Sequence, residues 1–256
     1  LDLAFLPDVL PDLASSTDAA LLPTGGLRLP SRKVEAIDGF EEGRWWVQDF
    51  AAQLPVTLLG DVKGKRVADL CAAPGGKTMQ LAAAGTGVVA VEENEERARL
   101  IAENLARTRL ADRVEVVVAD ARTLTGTFDA VLLDAPCSAT GTLRRHPDVA
   151  YNKRAEDFGA LAALQRTLLT HAATLLAPGG RLVFATCSLE PEEGERHLDG
   201  VLPEGLRLDP LREDDGVAFA FRTEAGAMRT RPDQPIPGPG GLVGLDGFFA
   251  ARFVKV

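Results

Sequence analysis

The sequence has few cysteines, few aromatic residues and no long apolar run. Its 256 residues include three cysteines, and aromatic residues make up 5% of the chain. No run of about 18 apolar residues occurs, which argues against a membrane span, and no signal peptide is visible. The cysteines, Cys71, Cys137 and Cys187, are odd in number and too far apart for close-spaced zinc pairs. We therefore expect reduced thiols in a cytoplasmic protein with no membrane partner and no bound metal.

Basic residues are also in deficit. The chain carries 28 lysines and arginines against 37 acidic residues, a formal net charge of −9. This balance argues mildly against a nucleic-acid partner, although net charge does not describe a local patch. Two basic clusters occur: Arg28, Arg32 and Lys33, and then Arg144, Arg145, His146, Lys153 and Arg154. Each cluster is explained equally well as a solvated face. Because the chain begins at Leu1 rather than Met, we expect it to be part of a longer protein.

From residue 66 onward, short apolar runs alternate with segments rich in helix formers. The pattern predicts strands at 66–70, 87–91, 113–118, 128–133 and 181–186, and helices at 77–84, 95–107 and 156–176. The third helix should stop at Pro178-Gly179-Gly180, and a short helix should cover 191–198. This order implies a parallel, doubly wound α/β sheet, closed by an antiparallel strand at 247–254.

Residues 1–55 are less regular, with several prolines and a Gly25-Gly26 pair. Short apolar segments at 27–29 and 33–37 predict short strands in this part. Trp45 and Trp46 could stack on a base, but we favour packing of this extension onto the core. His171 and His197 fall on predicted helices, and we interpret both as structural.

Two of the cysteines directly follow predicted strands. The segments are Leu132-Leu-Asp134-Ala-Pro-Cys137-Ser and Phe184-Ala-Thr-Cys187-Ser. In an open α/β sheet the ligand crevice lies at the carboxyl ends of the strands, so we expect both thiols and Asp134 there. A thiol at that edge can act as a nucleophile toward a ring that resists simpler chemistry, such as a pyrimidine base. The alternative is that both cysteines are small buried hydrophobic residues.

Cys71 opens a glycine-rich turn between the first predicted strand and the first predicted helix. The segment is Asp69-Leu-Cys71-Ala72-Ala73-Pro74-Gly75-Gly76-Lys77-Thr78. Its two glycines allow the backbone to pass close to a ligand. The segment is not the Gly-x-x-x-x-Gly-Lys-Ser/Thr sequence that cradles phosphates, so S-adenosylmethionine fits better than NAD or ATP.

An acidic residue follows each of the next three strands. Glu92 is placed to accept the ribose hydroxyls of an adenosine, Asp120 to bind the adenine amino group, and Asp134 to face the reacting end. Each acid taken singly could instead be a helix cap or a surface charge. Three acids after three successive strands, beside a glycine turn, favour a cofactor site.

These segments together resemble the RsmB/Sun family of RNA (cytosine-5) methyltransferases, of the bacterial ribosomal RNA small subunit methyltransferase type. The resemblance is carried by residues 69–78, 132–138 and 185–193, with flanking similarity at 46–49 and 246–252. It covers roughly residues 28–256. It implies a Rossmann-like, S-adenosylmethionine-dependent methyltransferase catalytic domain at 56–256. Residues 1–55 would then be a small N-terminal extension, a truncated subdomain on the RNA side.

The resemblance implies a role for each matching residue. Cys187 matches the nucleophile that adds to C6 of cytosine, and Cys137 matches the second cysteine, which helps release the product. Asp134 suits stabilisation of the adduct at N3, and Lys77 is the nearest cationic candidate for lowering the pKa of the thiol, a role that the resemblance does not assign to it. The implied cofactor site comprises Cys71, Ala72, Ala73, Pro74, Gly75, Gly76, Lys77, Glu92, Asp120 and Asp134.

Three positions depart from the family pattern without removing a reacting group. Glu92 stands where Asp is more common, Ala139 replaces a common Gly, and Gly194 replaces an Asn. The expected partner is RNA, ribosomal RNA in particular. The alternatives are a transfer RNA methyltransferase, a DNA cytosine-5 methyltransferase that attacks with Cys137, and a ribosome-assembly factor without catalysis.

Overall fold

The chain begins with a small antiparallel sheet. The computed structural model describes residues 1–6, 19–30, 33–152, 154–238 and 241–256. Four short strands of this described part form the sheet in the spatial order β2-β3-β1-β4. They are β1 (Asp2–Phe5), β2 (Ala20–Leu21), β3 (Leu27–Arg28) and β4 (Trp45–Val47). Trp46 is buried in the main apolar core, which confirms packing of the extension onto the core for this residue, whereas Trp45 is buried in a separate cluster with Leu3.

The prediction of a strand at 33–37 is wrong. Val34–Ala36 forms a single 3₁₀ turn. Val34 and Ile37 stand three residues apart, and a 3₁₀ turn places such side chains on the same side, here in the apolar cluster around Trp45. Arg32 and Lys153, which belonged to the predicted basic clusters, lie outside the described residues.

A mixed sheet forms the centre of the larger part of the molecule. Among the described residues it has eight strands: β5 (Arg66–Leu70), β6 (Gly87–Glu92), β7 (Val114–Val118), β8 (Phe128–Asp134), β9 (Leu176–Thr186), β10 (Leu206–Leu208), β11 (Met228–Thr230) and β12 (Phe248–Lys255). The spatial order is β10-β12-β9-β8-β5-β6-β7, and β11 also pairs with β12. The five strands from β5 to β9 pair in parallel, whereas β12 is antiparallel to β9. The predicted parallel sheet and its antiparallel closing strand are therefore confirmed.

Helices cover both faces of this sheet. The helices are α1 (Phe50–Thr57), α2 (Gly76–Ala83), α3 (Glu95–Thr108), α4 (Val149–Asn152) and α5 (Ala155–Thr174). The four-residue α4 has no buried residue and takes no part in this coverage. Alternate strand residues enter two different apolar clusters: Leu132 packs with α1, α2 and α3, and Leu133 packs with α5. Coverage on both faces explains why the strands read as nearly continuous apolar runs. The predicted boundary between residues 55 and 56 falls inside α1, and the division into two domains stays a prediction.

The longest helix ends two residues before its predicted end at residue 176, and the following strand begins five residues before its predicted start at 181. The helix α5 ends at Thr174, and β9 already begins at Leu176, so Pro178-Gly179-Gly180 lies within the strand. The cause is early strand pairing, because Phe128 pairs with Leu176 and a register shift follows before Ala130. The proline and glycines occupy this irregularity, and Gly179 has a φ of 74° there.

The segment 191–198 is not one helix. It forms two 3₁₀ turns, Pro191–Glu193 and Glu195–His197, and Gly194 separates them with φ −136° and ψ −101°. A Cβ at Gly194 would lie 3.1 Å from the ring of Phe249, so the chain passes very close to β12 here. Further 3₁₀ segments are Ala111–Arg113, Ala121–Thr123, Thr140–Thr142 and Glu213–Phe221. Among the helices of the described ranges, none has the length and apolar character needed to cross a membrane.

Candidate active site

A cavity of about 520 Å³ opens at the carboxyl ends of β5, β8 and β9. Most of the residues that the sequence assigned to a site line it: Cys71, Ala72, Ala73, Pro74, Gly76, Lys77, Asp134, Cys137 and Cys187. A smaller cavity of about 50 Å³ is lined by Glu92 and Asp120 and shares Cys71, Arg97 and Pro136 with the first. The topology therefore collects residues from three distant segments at one sheet edge.

The two strand-end cysteines meet in the large cavity. The Sγ of Cys137 lies 3.4 Å from the Sγ of Cys187. The reason is topological: β8 and β9 are parallel neighbours with Asp134 in register with Ala185, so the residues that follow each strand arrive at the same place. Both cysteines are free and partly exposed. Two thiols therefore face a single volume that a planar ring could occupy.

The neighbouring thiol changes the acidity of Cys137. The hydrogen bond with Cys187 raises the pKa of Cys137 well above its usual value, and burial raises it further. The backbone N–H of Ala139 acts in the opposite direction but does not reverse the shift. Both causes keep Cys137 protonated at neutral pH.

A buried ion pair lies beside the thiols. Lys77 is in the first turn of α2, and its Nζ donates a hydrogen bond to Oδ2 of Asp134 at 2.7 Å. Burial by itself lowers the pKa of Lys77, but Asp134 and then Cys187 outweigh it, and the pKa is raised. The Nζ also lies 4.9 Å from the centroid of the Phe248 ring, a cation–π contact. A permanent positive charge is thus placed in the wall of the cavity.

The glycine-rich turn is anchored by its neighbours. Gly75 has a φ of 100°, a left-handed conformation that favours glycine, and forms the N-cap of α2. The N–H of Ala72 donates to the carbonyl of Val91 at 3.0 Å, and the N–H of Ala73 donates to Oε2 of Glu92 at 3.3 Å. Burial and then nearby carboxylates raise the pKa of Cys71 to about 12, so its thiol is unreactive.

Asp69 is a site residue that sequence reasoning did not single out. It is fully buried in β5 and lines the large cavity. The Oγ1 of Thr78 donates to its Oδ2 at 2.6 Å, whereas its Oδ1 has no partner among the described residues. Burial raises the pKa of Asp69 to about 7. A carboxylate inside an apolar strand is the signal that could have revealed it, because such a group is rarely buried without a use.

Glu92 and Asp120 both have partners within the protein, but Glu92 is buried and Asp120 is partly exposed. Glu92 is buried, accepts hydrogen bonds from the N–H groups of Ala73 and Asn94, and lies 3.4 Å from Arg97. Asp120 is paired with Arg122, whose side-chain and backbone hydrogen bonds lower the pKa of Asp120 to about 2. Both line the small cavity, and their roles toward a ribose and an adenine stay predictions.

Arg144 and Arg145 of the second basic cluster form ion pairs with buried carboxylates. Arg144 donates to Asp49 at 2.8 Å and to Asp246 at 3.1 Å, and Arg145 donates to Asp246 at 2.9 Å. Burial, together with Asp246, raises the pKa of Asp49 to about 6. The two flanking segments of the sequence, 46–49 and 246–252, therefore clamp the loop that follows Cys137. The side chains of Arg144 and Arg145 are 38% and 39% exposed, so each guanidinium group is both ion-paired and accessible to solvent.

A second buried carboxylate, Glu193, was also missed. It accepts hydrogen bonds from both loops that carry the strand-end cysteines. The sequence gives no local signal for it, because Glu192 and Glu195 are close by and look the same. The only hint is that each of the two cysteines is followed by a serine, Ser138 and Ser188.

Comparisons with known proteins agree with this geometry. A family described as 16S rRNA methyltransferase RsmB/F matches residues 56–254. The ribosomal RNA small subunit methyltransferase B of Vibrio cholerae is 44% identical over 234 residues, which cover 87% of this chain and 49% of that protein. The protein of the same name from an Enterobacter species is 39% identical over 232 residues, 87% of this chain and 50% of its own. The chain spans about half the length of these curated relatives.

Solved structures show the same architecture. A methyltransferase homologue from Pyrococcus horikoshii is 28% identical with a TM-score of 0.78, and the match covers 100% of this chain and 86% of that one. NSun6 from Pyrococcus horikoshii, solved with SFG, is 27% identical with a TM-score of 0.76, and the match covers 90% of this chain and 57% of that one. SFG is an analogue of S-adenosylmethionine.

Proposed function

The chain belongs to the RsmB/F family of 16S rRNA methyltransferases, and from this premise we propose that it methylates C5 of a cytosine in small-subunit ribosomal RNA. The methyl donor in this proposal is S-adenosylmethionine. One observation carries it: two thiols 3.4 Å apart share a cavity with the Lys77–Asp134 pair and the glycine-rich turn. That set of groups suits a ring that must be attacked at one carbon before its neighbour can react.

The residues present fit the proposed cofactor. S-adenosylmethionine carries a sulfonium and an ammonium group, and the unpartnered Oδ1 of Asp69 offers a buried acceptor to one such cation. The turn from Cys71 to Lys77 would hold the cofactor's amino acid end. Glu92 would accept the ribose hydroxyls in the smaller cavity, where Asp120 would meet the adenine. When bound, the cofactor would supply the methyl group that is transferred to C5.

Cys187 is the proposed nucleophile. Its sulfur forms a bond to C6, the C5–C6 double bond shifts to give an enamine, and the thiol proton ends at N3. Asp134 can carry that proton and then accept a hydrogen bond from N3–H. Lys77 holds a positive charge against Asp134, so the carboxylate stays in place and is not buried without a counter-ion.

Cys137 is the proposed base for release of the product. Because its sulfur is next to that of Cys187, both lie on the same face of the ring, and the C5 proton points to that face after methyl transfer. Once Cys187 is bonded to C6, the hydrogen bond that most raises the pKa of Cys137 is lost, so Cys137 ionises more readily. It can then take the C5 proton, Cys187 leaves as the thiolate, and the proton on N3 returns through Asp134 to that thiolate. The coupling of the two thiols thus sets the order of their steps.

Bisulfite mapping of ribosomal RNA tests this proposal. A strain from which the gene is deleted should lose one 5-methylcytosine of the small subunit. The wild-type gene should restore it, and a Cys187→Ala gene at equal expression should not. An unchanged methylation pattern after deletion would reject ribosomal RNA as the substrate, and transfer RNA from the same strain would be mapped alongside.

A further inference from the structure

A buried carboxylate lies directly behind the two thiols. Glu193 is fully buried, at the end of the 3₁₀ turn Pro191–Glu193. Its two oxygens accept hydrogen bonds from four groups of the described residues, which offset the cost of burying a carboxylate. The reaction steps proposed above do not use it. The role of this buried carboxylate therefore follows from the residues that it contacts.

The contacts of Glu193 join the two cysteine loops. From the first loop, the N–H of Ser138 donates to its Oε1 at 2.9 Å, and the Oγ of Ser138 donates to Oε2. From the second loop, the Oγ of Ser188 donates to the same Oε2 at 2.5 Å. Each serine directly follows a cysteine, so one carboxylate fixes the residue next to Cys137 and the residue next to Cys187.

The Glu193 carboxylate is itself held from behind by α5. Nε2 of Gln165 donates to its Oε1 at 3.1 Å and to the carbonyl of Pro136 at 2.9 Å. His197 lies 2.8 Å from Oε1 of Gln165, and burial lowers the pKa of His197 to about 4, so this histidine is neutral and structural, as the sequence indicated. The network leaves Glu193 few other positions.

We propose that Glu193 is a positioning residue that holds the Cys137 and Cys187 loops on one carboxylate and so sets the separation of the two thiols. The inference rests on the proposed function, because the separation matters only if both sulfurs act on one ring. A second consequence is electrostatic. The titratable groups around Cys137 are Cys187 and Glu193, and Lys77 and Arg145 also lie in the cavity wall. The negative charge of Glu193 is one of the causes that raise the pKa of Cys137.

The first test measures thiol proximity without RNA. Diamide converts two neighbouring thiols to a disulfide, and mass spectrometry of the linked peptides gives the rate for Cys137–Cys187. We expect Glu193→Ala to slow this rate by about tenfold or more, because both serines lose their shared acceptor. Glu193→Gln should stay within about threefold of wild type, because the amide can still bond to the rotatable hydroxyls.

The control is Glu192→Ala, one residue earlier in the same turn. Its carboxylate pairs with Arg196 at the surface, so the disulfide rate should match wild type. Should both Glu193 variants fail to fold by circular dichroism, the double variant Ser138→Ala/Ser188→Ala removes donors and keeps the carboxylate. A wild-type rate in Glu193→Ala, or in the double serine variant, would overturn the proposal.

The second test measures charge by the pH dependence of Cys137 alkylation with iodoacetamide. In a Cys187→Ser background, Glu193→Gln should move the midpoint to lower pH by about half a unit or more, because a negative charge next to the thiol is removed. An unmoved midpoint would leave Glu193 as an ordinary structural residue. Both measurements need neither RNA nor cofactor, so failure of the proposed methylation would be seen separately, by bisulfite mapping.

Discussion

The Nζ of Lys77 lies 2.7 Å from Oδ2 of Asp134, and both side chains line the cavity that holds the two thiols. The lysine comes from the helix after β5 and the aspartate from the end of β8, so the pair connects the cofactor turn with the thiol loop. Since the pKa of Lys77 is raised, the ammonium persists at every pH at which the protein would be assayed. Its charge therefore acts on the aspartate and on any bound ring throughout the reaction.

Removal of this charge should slow methyl transfer more than it weakens cofactor binding. We expect Lys77→Met to lower kcat by about 10²-fold or more, because Asp134 would lose its counter-ion and hydrogen-bond donor. Single-turnover transfer of labelled methyl to RNA measures the rate, and calorimetry measures cofactor affinity. The control, Lys65→Met, changes an exposed lysine directly before β5, at the end of the strand away from the glycine-rich turn. A kcat within about twofold of wild type would show that the pair is not needed for chemistry.

The two cysteines should fail at different steps. Cys187→Ala cannot form the bond to C6, so it should be inactive and form no adduct. Cys137→Ala should still attack and transfer the methyl group, and then stall as a covalent protein–RNA complex, because no base removes the C5 proton. A denaturing gel after incubation with cofactor and RNA separates the complex from free protein. An adduct with Cys187→Ala and none with Cys137→Ala would reverse the assignment.

Glu92 should matter for cofactor affinity. Glu92→Ala should weaken S-adenosylmethionine binding by about tenfold or more, which corresponds to about 1.4 kcal/mol. The ribose would lose its acceptor, and the N–H of Ala73 would lose the carboxylate that anchors the turn. Calorimetry gives the affinity, and Glu96→Ala on the exposed side of α3 is the matched control. Equal affinity in Glu92→Ala and Glu96→Ala would remove the ribose assignment.

The cofactor turn and the parallel strands were predictable because their signals are local. Strands buried on both faces read as apolar runs, and the glycine turn follows the first of them within a few residues. The meeting of Cys137 with Cys187 was also predictable in outline, because both follow parallel strands. Their actual proximity depends on β8 and β9 being neighbours, which spacing along the chain does not determine.

The parts that sequence reasoning missed depend on contacts between distant residues. Arg145 and Asp246 are 101 positions apart, and nothing in either segment indicates the ion pair. Glu193 is distinguished from Glu192 only by the side of a 3₁₀ turn from which it projects. The predicted start of β9 at residue 181 was wrong for a related reason: Leu176 pairs with Phe128, so Pro178-Gly179-Gly180 lies within the strand.

RNA binding by this chain alone should be weak and sensitive to salt. The guanidinium groups of Arg144 and Arg145 face the carboxylates of Asp49 and Asp246, so the cluster has little net charge to offer phosphates. If each arginine meets one phosphate of single-stranded RNA, log K should fall with log salt with a slope of about −1.4, since each contact contributes about −0.7.

The salt slope is measured by fluorescence anisotropy with a labelled oligonucleotide. Arg145→Ala should reduce its magnitude by about 0.7, and Arg99→Ala, at an exposed position of α3, should leave it unchanged. Tight binding that does not respond to salt would contradict the expectation and would place the RNA contacts on other residues of the chain.

Asp69 should make the protein less stable at high pH. Its pKa is about 7 when folded and near 3.8 when unfolded, so the folded state holds the proton more tightly. Below about pH 4 Asp69 is protonated in both states, and it does not change the free energy of unfolding. As the pH rises to about 7, the folded state is destabilised, by about 4 kcal/mol in total, because about three pKa units separate the two states. Above pH 7 the difference stays constant.

Asp69→Asn should therefore have a higher free energy of unfolding than wild type at pH 8 and the same value near pH 4. Urea denaturation at each pH measures this free energy. The asparagine carbonyl can still accept from Thr78, and its NH₂ would take the place of the unpartnered oxygen. The same change should weaken the binding of S-adenosylmethionine, because a buried anion no longer faces the cofactor's positive groups. Wild-type affinity should fall below about pH 7 as Asp69 is protonated, whereas the affinity of the variant should not change over that range. Parallel pH profiles for the two proteins would mean that Asp69 does not face the bound cation.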